Sequence, residues 1–264
     1  KYPFYEDSFK LVEVPYLGME HQSSVTYGNK YKKGYLGSDL SGTGWGLKFD
    51  FIIIHEAGHE WFANNITNKD IADMWIHESF TAYSENLFLD YYYGKKAASE
   101  YVIGTRRGIQ NDKPIIGYYN VNKEGSGDMY YKGANMLHTI RTIIDNDNTW
   151  RGILRGMNSV FYHKTVTTKE IEDYISNQSG IDFSSVFNQY LRDIRIPEFQ
   201  YKIKDGILSY RWNAVVKDFN MPINIFIDGK KRQLSPTDSW KTTSITSKEI
   251  TIDKNFYITE KQVM

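Results

Sequence analysis

The chain has 264 residues, 41% of them apolar, with 21 Tyr, 14 Phe and 6 Trp, which is too much buriable surface for a disordered segment. At about 150 residues per domain this length accommodates two domains. The 32 basic residues balance the 32 acidic ones without a local block of one sign, so a nucleic-acid footprint is excluded; with no cysteine there is no disulfide or thiolate metal site, and no apolar run reaches the roughly 18 residues of a membrane helix.

The chain opens at Lys1 with neither Met nor a signal-like stretch, which reads as a mature or excised piece. Residues 10–36 read as extended: Val12 and Val14 alternate with charged neighbours before Pro15, and Ser24 to Tyr27 lead into a Gly28-Asn29 turn. Glycine-rich sequence over 35–46 reads as a loop. A largely buried helix is predicted from Phe51 through Phe62, and a second from about Ile71 to Tyr93 on the spacing of Trp75, Phe80, Tyr83, Leu87 and Tyr91. Further helices are predicted over 96–108, 129–145, 150–162 and 168–176, the last with Thr167 and Glu170 as a capping box, and another from Asp182 to about Asp193. After Pro197 the pattern turns to strands at 201–203, 208–212, 214–216, 223–227, 250–252 and 256–258, with Asp228-Gly229 as a hairpin turn. The reading is therefore a helix-rich body over 1–196 and a small antiparallel β module over 197–264 docked on it.

Two polar interruptions of the apolar helices carry the chemistry. His55-Glu56-Ala57-Gly58-His59 places two imidazoles at i and i+4 on one helix face, within reach of one ion, with Glu56 one position round, near a metal-bound water. Neutral imidazoles suit zinc, and a carboxylate beside the open coordination position suits proton transfer from water. A catalytic zinc commonly takes a third protein ligand, for which Glu78 in the second helix is the candidate, with Asp73 and Glu85 as substitutes.

The stretch HEAGHEWFAN (55–64) followed by WIHESFTAYSE (75–85) resembles the gluzincin aminopeptidase family, the alanyl and leucyl aminopeptidase-like zinc metallopeptidases, whose usual forms are HExxHxWFGN and WLNEGFA. The family's spacing of eighteen residues between second His and Glu is met by residues 60–77. The resemblance implies one zinc ion held by His55, His59 and Glu78, with Glu56 as general base. Leu17-Gly18-Met19-Glu20-His21 resembles the family's GxMEN segment and gives Glu20 the recognition of a substrate's free amine. Tyr130-Tyr131-Lys132-Gly133 resembles its YxKG segment and gives Tyr130 the stabilisation of the tetrahedral intermediate. Departures from the pattern are Leu17, His21, Ala63, His77 and Ser79.

The resemblance further implies an α+β architecture: a thermolysin-like, mainly helical catalytic domain with a small N-terminal sheet, then a small antiparallel β-sandwich-like domain. It implies peptide substrates with a free N-terminus, and an N-terminal β domain that is missing from this chain. Tyr16, Tyr27 and Tyr35 are aromatic candidates for the wall of a substrate pocket. The expected activity is zinc-dependent release of N-terminal amino acids, with no nucleic-acid partner and no membrane insertion. Two alternatives stay open on the residues alone: an endopeptidase in which Glu20 is an ordinary strand carboxylate, and a catalytically impaired, zinc-stabilised peptide-binding fragment. The compartment stays open as well.

Overall fold

The computed structural model describes residues 2–264; Lys1, with which the expected catalytic domain begins, lies outside the described residues. Three short strands, β1 (Leu11–Glu13), β2 (Gly18–Met19) and β3 (Val25–Tyr27), form a sheet in the order β1-β3-β2, with β1 parallel and β2 antiparallel to β3. Asp50 then starts the helix α1 (Phe51–Gly58) by accepting from the Ile53 amide, and it also receives the Tyr27 hydroxyl, which ties the sheet to the helix start. The predicted helix through Phe62 ends earlier. After Gly58 the chain widens into a turn over Glu60–Asn65, and Phe62 leaves helical geometry at φ −126°, ψ 75°. The carbonyl that this frees is used in the site described below.

A short parallel pair, β4 (Ile66–Asn68) with β5 (Lys164–Val166), leads to a 3-10 turn at Ile71–Asp73 and the long helix α2 (Trp75–Tyr93). The second predicted helix thus starts four residues late, because Asp70 caps the 3-10 turn through the Ala72 amide. The remaining helices are α3 (Lys95–Gly104), α4 (Tyr131–Ile144), α5 (Asp147–Val160), α6 (Thr168–Ser179) and α7 (Ser184–Arg192). Thr167 and Glu170 form the expected capping box on α6.

The C-terminal region holds β6 (Glu198–Lys204), β7 (Ile207–Asn213), β8 (Ile223–Ile227), β9 (Lys230–Leu234), β10 (Lys241–Ser244), β11 (Thr251–Ile252) and β12 (Thr259–Gln262). They form two sheets, β10-β7-β6-β12 and β11-β8-β9, antiparallel except that β12 runs parallel to β6. Asp228 and Gly229 make the β8-β9 turn with φ of 49° and 75°. Two predicted strands are absent: 214–216 is a loop tied to α7 by the Val216 amide donating to Gln189 Oε1, and 256–258 is an anchor. Phe256 and Tyr257 are buried in the helical body, where the Tyr257 amide donates to Thr139 Oγ1 at 3.0 Å and the Tyr190 hydroxyl donates to the Tyr257 carbonyl at 2.6 Å. A buried apolar triplet looks the same in sequence whether it pairs or plugs.

One apolar cluster joins helices and sheets, with Trp75, Trp150 and Tyr190 in the same body as Phe199, Trp212 and Ile223. A second, smaller one (Tyr27, Phe49, Phe51, Ile52, Leu89, Ala98, Tyr101) lies against α1. No helix among the described residues is long and apolar enough to cross a membrane.

Candidate active site

The two apolar clusters bring α1 and α2 together, and the polar interruptions of both helices meet between them. The His55 and His59 rings lie 5.0 Å apart, and their Nε2 atoms are 3.5 and 3.4 Å from one oxygen of Glu78, Oε2. That oxygen is buried with no hydrogen-bond partner among the described residues. Ligand atoms about 2.0–2.1 Å from a tetrahedral zinc ion lie roughly 3.3 Å apart, so two imidazole nitrogens and a carboxylate oxygen at these separations fit such an ion. Burial works against the charge on Glu78, yet the two imidazoles hold its carboxyl well below the usual carboxylate range. Burial likewise opposes protonation of His55, but Glu78 and Glu85 outweigh it and raise the imidazole to about 10.

Each imidazole is held from behind. His55 Nδ1 meets Glu85 Oε1 at 2.9 Å, and Glu85 Oε2 accepts from the Tyr101 hydroxyl at 2.5 Å. His59 Nδ1 meets the Phe62 carbonyl, freed by the turn after α1, at 3.0 Å and Thr81 Oγ1 at 3.1 Å. With Nδ1 engaged in this way, Nε2 is the nitrogen that each ring presents to Glu78 and to an ion. Glu85 therefore sits on the wrong nitrogen of His55 to serve as a substitute ligand. Asp73 is engaged elsewhere, accepting from the Thr168 hydroxyl and amide at the start of α6. Of these supporting groups only Glu85 was named from sequence, and as a substitute ligand rather than a support; Thr81 and Glu85 follow Glu78 by three and seven residues and so share its helix face.

Glu56 is buried beside the pair, its Oε2 without a partner among the described residues, and burial raises its carboxyl pKa despite the two imidazoles. Glu20, Glu56 and His59 each place a ligand-type atom within 4.8 Å of the others, so the structure brings Glu20 into the same site. Gly18 on β2 packs directly over this carboxylate: a Cβ there would lie 2.8 Å from Glu56 Oε1 and 2.8 Å from Ile52 Cγ2. Asn64 Nδ2 donates to the Glu20 carbonyl at 2.8 Å, which ties β2 to the turn after α1. His21, exposed, contributes its carbonyl to a turn closed by the Ser24 amide.

Tyr130 stands at the junction of a 3-10 turn (Gly127–Met129) and α4, its ring 6.0 Å from that of His55. Burial, then Glu78, pushes its phenol far up, so it stays a hydrogen donor. Its neighbour Gly133 lets α4 approach α2: a Cβ there would fall 1.8 Å from Ser79 Oγ. Ser79, one of the departures, uses its hydroxyl to donate to the Met129 carbonyl at 2.6 Å. Another, His77, accepts the Asn68 amide at Nε2 (3.0 Å), and burial with nearby His59 lowers its pKa to about 4. A cleft of 620 Å³ reaches the site, with His55, Glu56 and Tyr130 on its wall together with Leu17, Tyr35 and Phe51. Of the three aromatic pocket candidates, Tyr35 lines this cleft, whereas Tyr27 is buried in the smaller apolar cluster and Tyr16 is half exposed.

A sequence profile of the Peptidase family M1 domain matches residues 2–190. The chain is 20% identical over 253 residues to probable aminopeptidase 1 of Sulfurisphaera tokodaii, covering 88% of this chain and 32% of that protein. It is 23% identical over 249 residues to leucyl aminopeptidase of Saccharolobus solfataricus, covering 86% of this chain and 31% of that one. The chain thus spans about a third of the length of these curated relatives. Among solved structures, Legionella pneumophila aminopeptidase A in complex with aspartic acid superposes with a TM-score of 0.67 at 15% identity, covering 95% of this chain and 31% of that one. A mutant M1 zinc metallopeptidase from Deinococcus radiodurans, bound to a Tyr-Ser-Ala substrate, superposes with a TM-score of 0.54 at 18% identity, covering 69% and 38%. These superpositions bear on the fold.

Proposed function

The chain belongs to peptidase family M1, and on that premise we propose that it is the catalytic portion of a zinc-dependent aminopeptidase acting on peptides with a free N-terminus. The observation that carries this reading is the convergence of His55 Nε2 and His59 Nε2 on Glu78 Oε2 at 3.5 and 3.4 Å, with Glu20 and Glu56 alongside. In this reading His55, His59 and Glu78 are the ligands. Bound there, a zinc ion would supply Lewis acidity, polarising the scissile carbonyl and acidifying the attacking water.

The chain's own groups do the rest. Glu56 takes a proton from the water at its carboxylate and returns it to the leaving amine as the C–N bond breaks. Tyr130 donates its phenol hydrogen to the oxygen on which negative charge develops. Glu20 holds the substrate's terminal ammonium by charge-assisted hydrogen bonds, which sets the cut one residue from the end. We also read residues 1–196 as the catalytic domain and 197–264 as a β domain that shares its core; the change of pattern at Pro197 supports that division.

The test is metal analysis of the purified chain together with hydrolysis of aminoacyl anilides and of a free and an N-acetylated peptide pair. Glu56→Gln is expected to keep stoichiometric zinc and lose about 10²–10⁴-fold in rate. Glu20→Ala is expected to lose the preference for the free amine. Equal cleavage of the acetylated and free peptides by the wild-type chain would move the reading to an endopeptidase, and zinc binding without turnover dependent on Glu56 would move it to a peptide-binding fragment.

A further inference from the structure

We propose that Tyr101 is a positioning residue for the metal site, acting through Glu85 to hold the His55 ring in the orientation and tautomer that ligation requires. The proposal rests on the zinc reading above. One chain of hydrogen bonds crosses three helices: Tyr101 on α3 donates to Glu85 Oε2 on α2 at 2.5 Å, and Glu85 Oε1 meets His55 Nδ1 on α1 at 2.9 Å. The two members behind the ring are shielded from solvent, Tyr101 at 2% and Glu85 at 1% exposure. A phenol has one hydrogen, and here it goes to Glu85. With that donor on one oxygen, Glu85 accepts on the other, so the hydrogen of the second contact belongs to His55 Nδ1, and Nε2 is the nitrogen turned toward Glu78 and available to an ion.

Removing the phenol oxygen leaves the buried Glu85 Oε2 without the donor it has among the described residues, and the carboxylate gains reason to turn away from His55. The surrounding rings would survive the change. Tyr101 packs against Phe49 with centroids 5.7 Å apart, and Phe51 stacks on His55 at 5.3 Å, so Tyr101→Phe keeps the apolar contacts and deletes only the hydrogen bond.

The experiment measures Zn(II) affinity of the full chain by competition with a chromophoric chelator, for wild type, Tyr101→Phe, Glu85→Gln and the double variant. Tyr190→Phe serves as control, since it deletes an equally buried tyrosine hydrogen bond, to the Tyr257 carbonyl. Loss of a group that orients a ligand costs about 10–100-fold in metal affinity. Glu85→Gln is expected within that range, Tyr101→Phe near its lower end, the double variant no weaker than Glu85→Gln by more than about twofold, and Tyr190→Phe unchanged. Wild-type affinity in Tyr101→Phe, multiplication of the two single effects in the double variant, or an equal loss in Tyr190→Phe would each overturn the proposal while the zinc site stands. A wild-type chain that binds no stoichiometric zinc would overturn the metal reading itself, and this proposal with it.

Discussion

Replacing Gly133 by Ala sets two physical effects against each other. In an isolated helix alanine is favoured over glycine by about 1 kcal/mol, so propensity alone makes Gly133→Ala stabilising. In the fold the added Cβ would lie 1.8 Å from Ser79 Oγ and 2.6 Å from Ser79 Cβ, where ordinary carbon contacts are about 3.5–4.0 Å. Rotating the hydroxyl away does not clear the clash with Ser79 Cβ, and it strips the Met129 carbonyl of its donor. Overpacking of this kind costs about 1–3 kcal/mol, and an orphaned buried acceptor about 1–3 kcal/mol more. Net of propensity, Gly133→Ala is expected to destabilise the chain by roughly 1–5 kcal/mol, read as a fall in Tm of about 2–20 °C and a lower urea midpoint. In a Ser79→Gly background the methyl group enters the space the serine vacates, so the two changes should couple favourably by about 1–3 kcal/mol. A Gly133→Ala protein as stable as wild type, or strict additivity in the cycle, would refute the close α2–α4 approach as the reason for glycine here.

Four further outcomes are expected. His138 is buried and its pKa is lowered to about 4, chiefly by burial; the unfolded chain takes up this proton near pH 6.5 and the folded one resists until about pH 4, so zinc-free protein should lose stability as pH falls through that window. The loss attributable to this residue is about 3 kcal/mol, and urea melts across the window should show a flatter profile for His138→Gln. Phe256→Ala empties an anchor between sheet and helices and should cost about 3–5 kcal/mol by the same melts. Thr167→Ala breaks the capping box on α6 and should cost about 1 kcal/mol. Chelation of zinc should lower Tm in proportion to RT ln(1 + [Zn]/Kd), about 2.7 kcal/mol at a hundredfold excess over Kd, and Glu78→Gln should show a smaller chelator response than wild type.

The clustering of His55, His59 and Glu78, with Glu56 beside them, was legible because the pattern is local: i, i+4 spacing on a helix, and a carboxylate interrupting an apolar face. Glu20 and Tyr130 were not legible from spacing, since one strand carboxylate and one of 21 tyrosines carry no local signal, and only motif resemblance singled them out. The Phe62 carbonyl behind His59 escaped for another reason. That carbonyl lies where the backbone leaves helical geometry, and nothing in the local spacing of apolar residues marks the break. The strand assigned to 256–258 shows the same limit, because burial of Phe256 and Tyr257 serves an anchor as readily as a ladder. Helix ends were displaced by a turn or less where 3-10 turns intervened at Ile71–Asp73 and Gly127–Met129.

The two apolar clusters have a consequence for how the molecule opens. Phe51 and Ile52 of α1 belong to the smaller cluster, Trp75, Phe80 and Tyr83 of α2 to the larger, which α2 links to the smaller through Leu89, and the proposed ligands His55, His59 and Glu78 sit on these two helices and the residue that follows α1. An ion bound there would be a rivet between α1 and α2. Without it, the β1–β3 and α1 region should show faster amide exchange than the helices around Trp150, so that metal loss is felt first as local loosening of one flank and only later as melting of the whole.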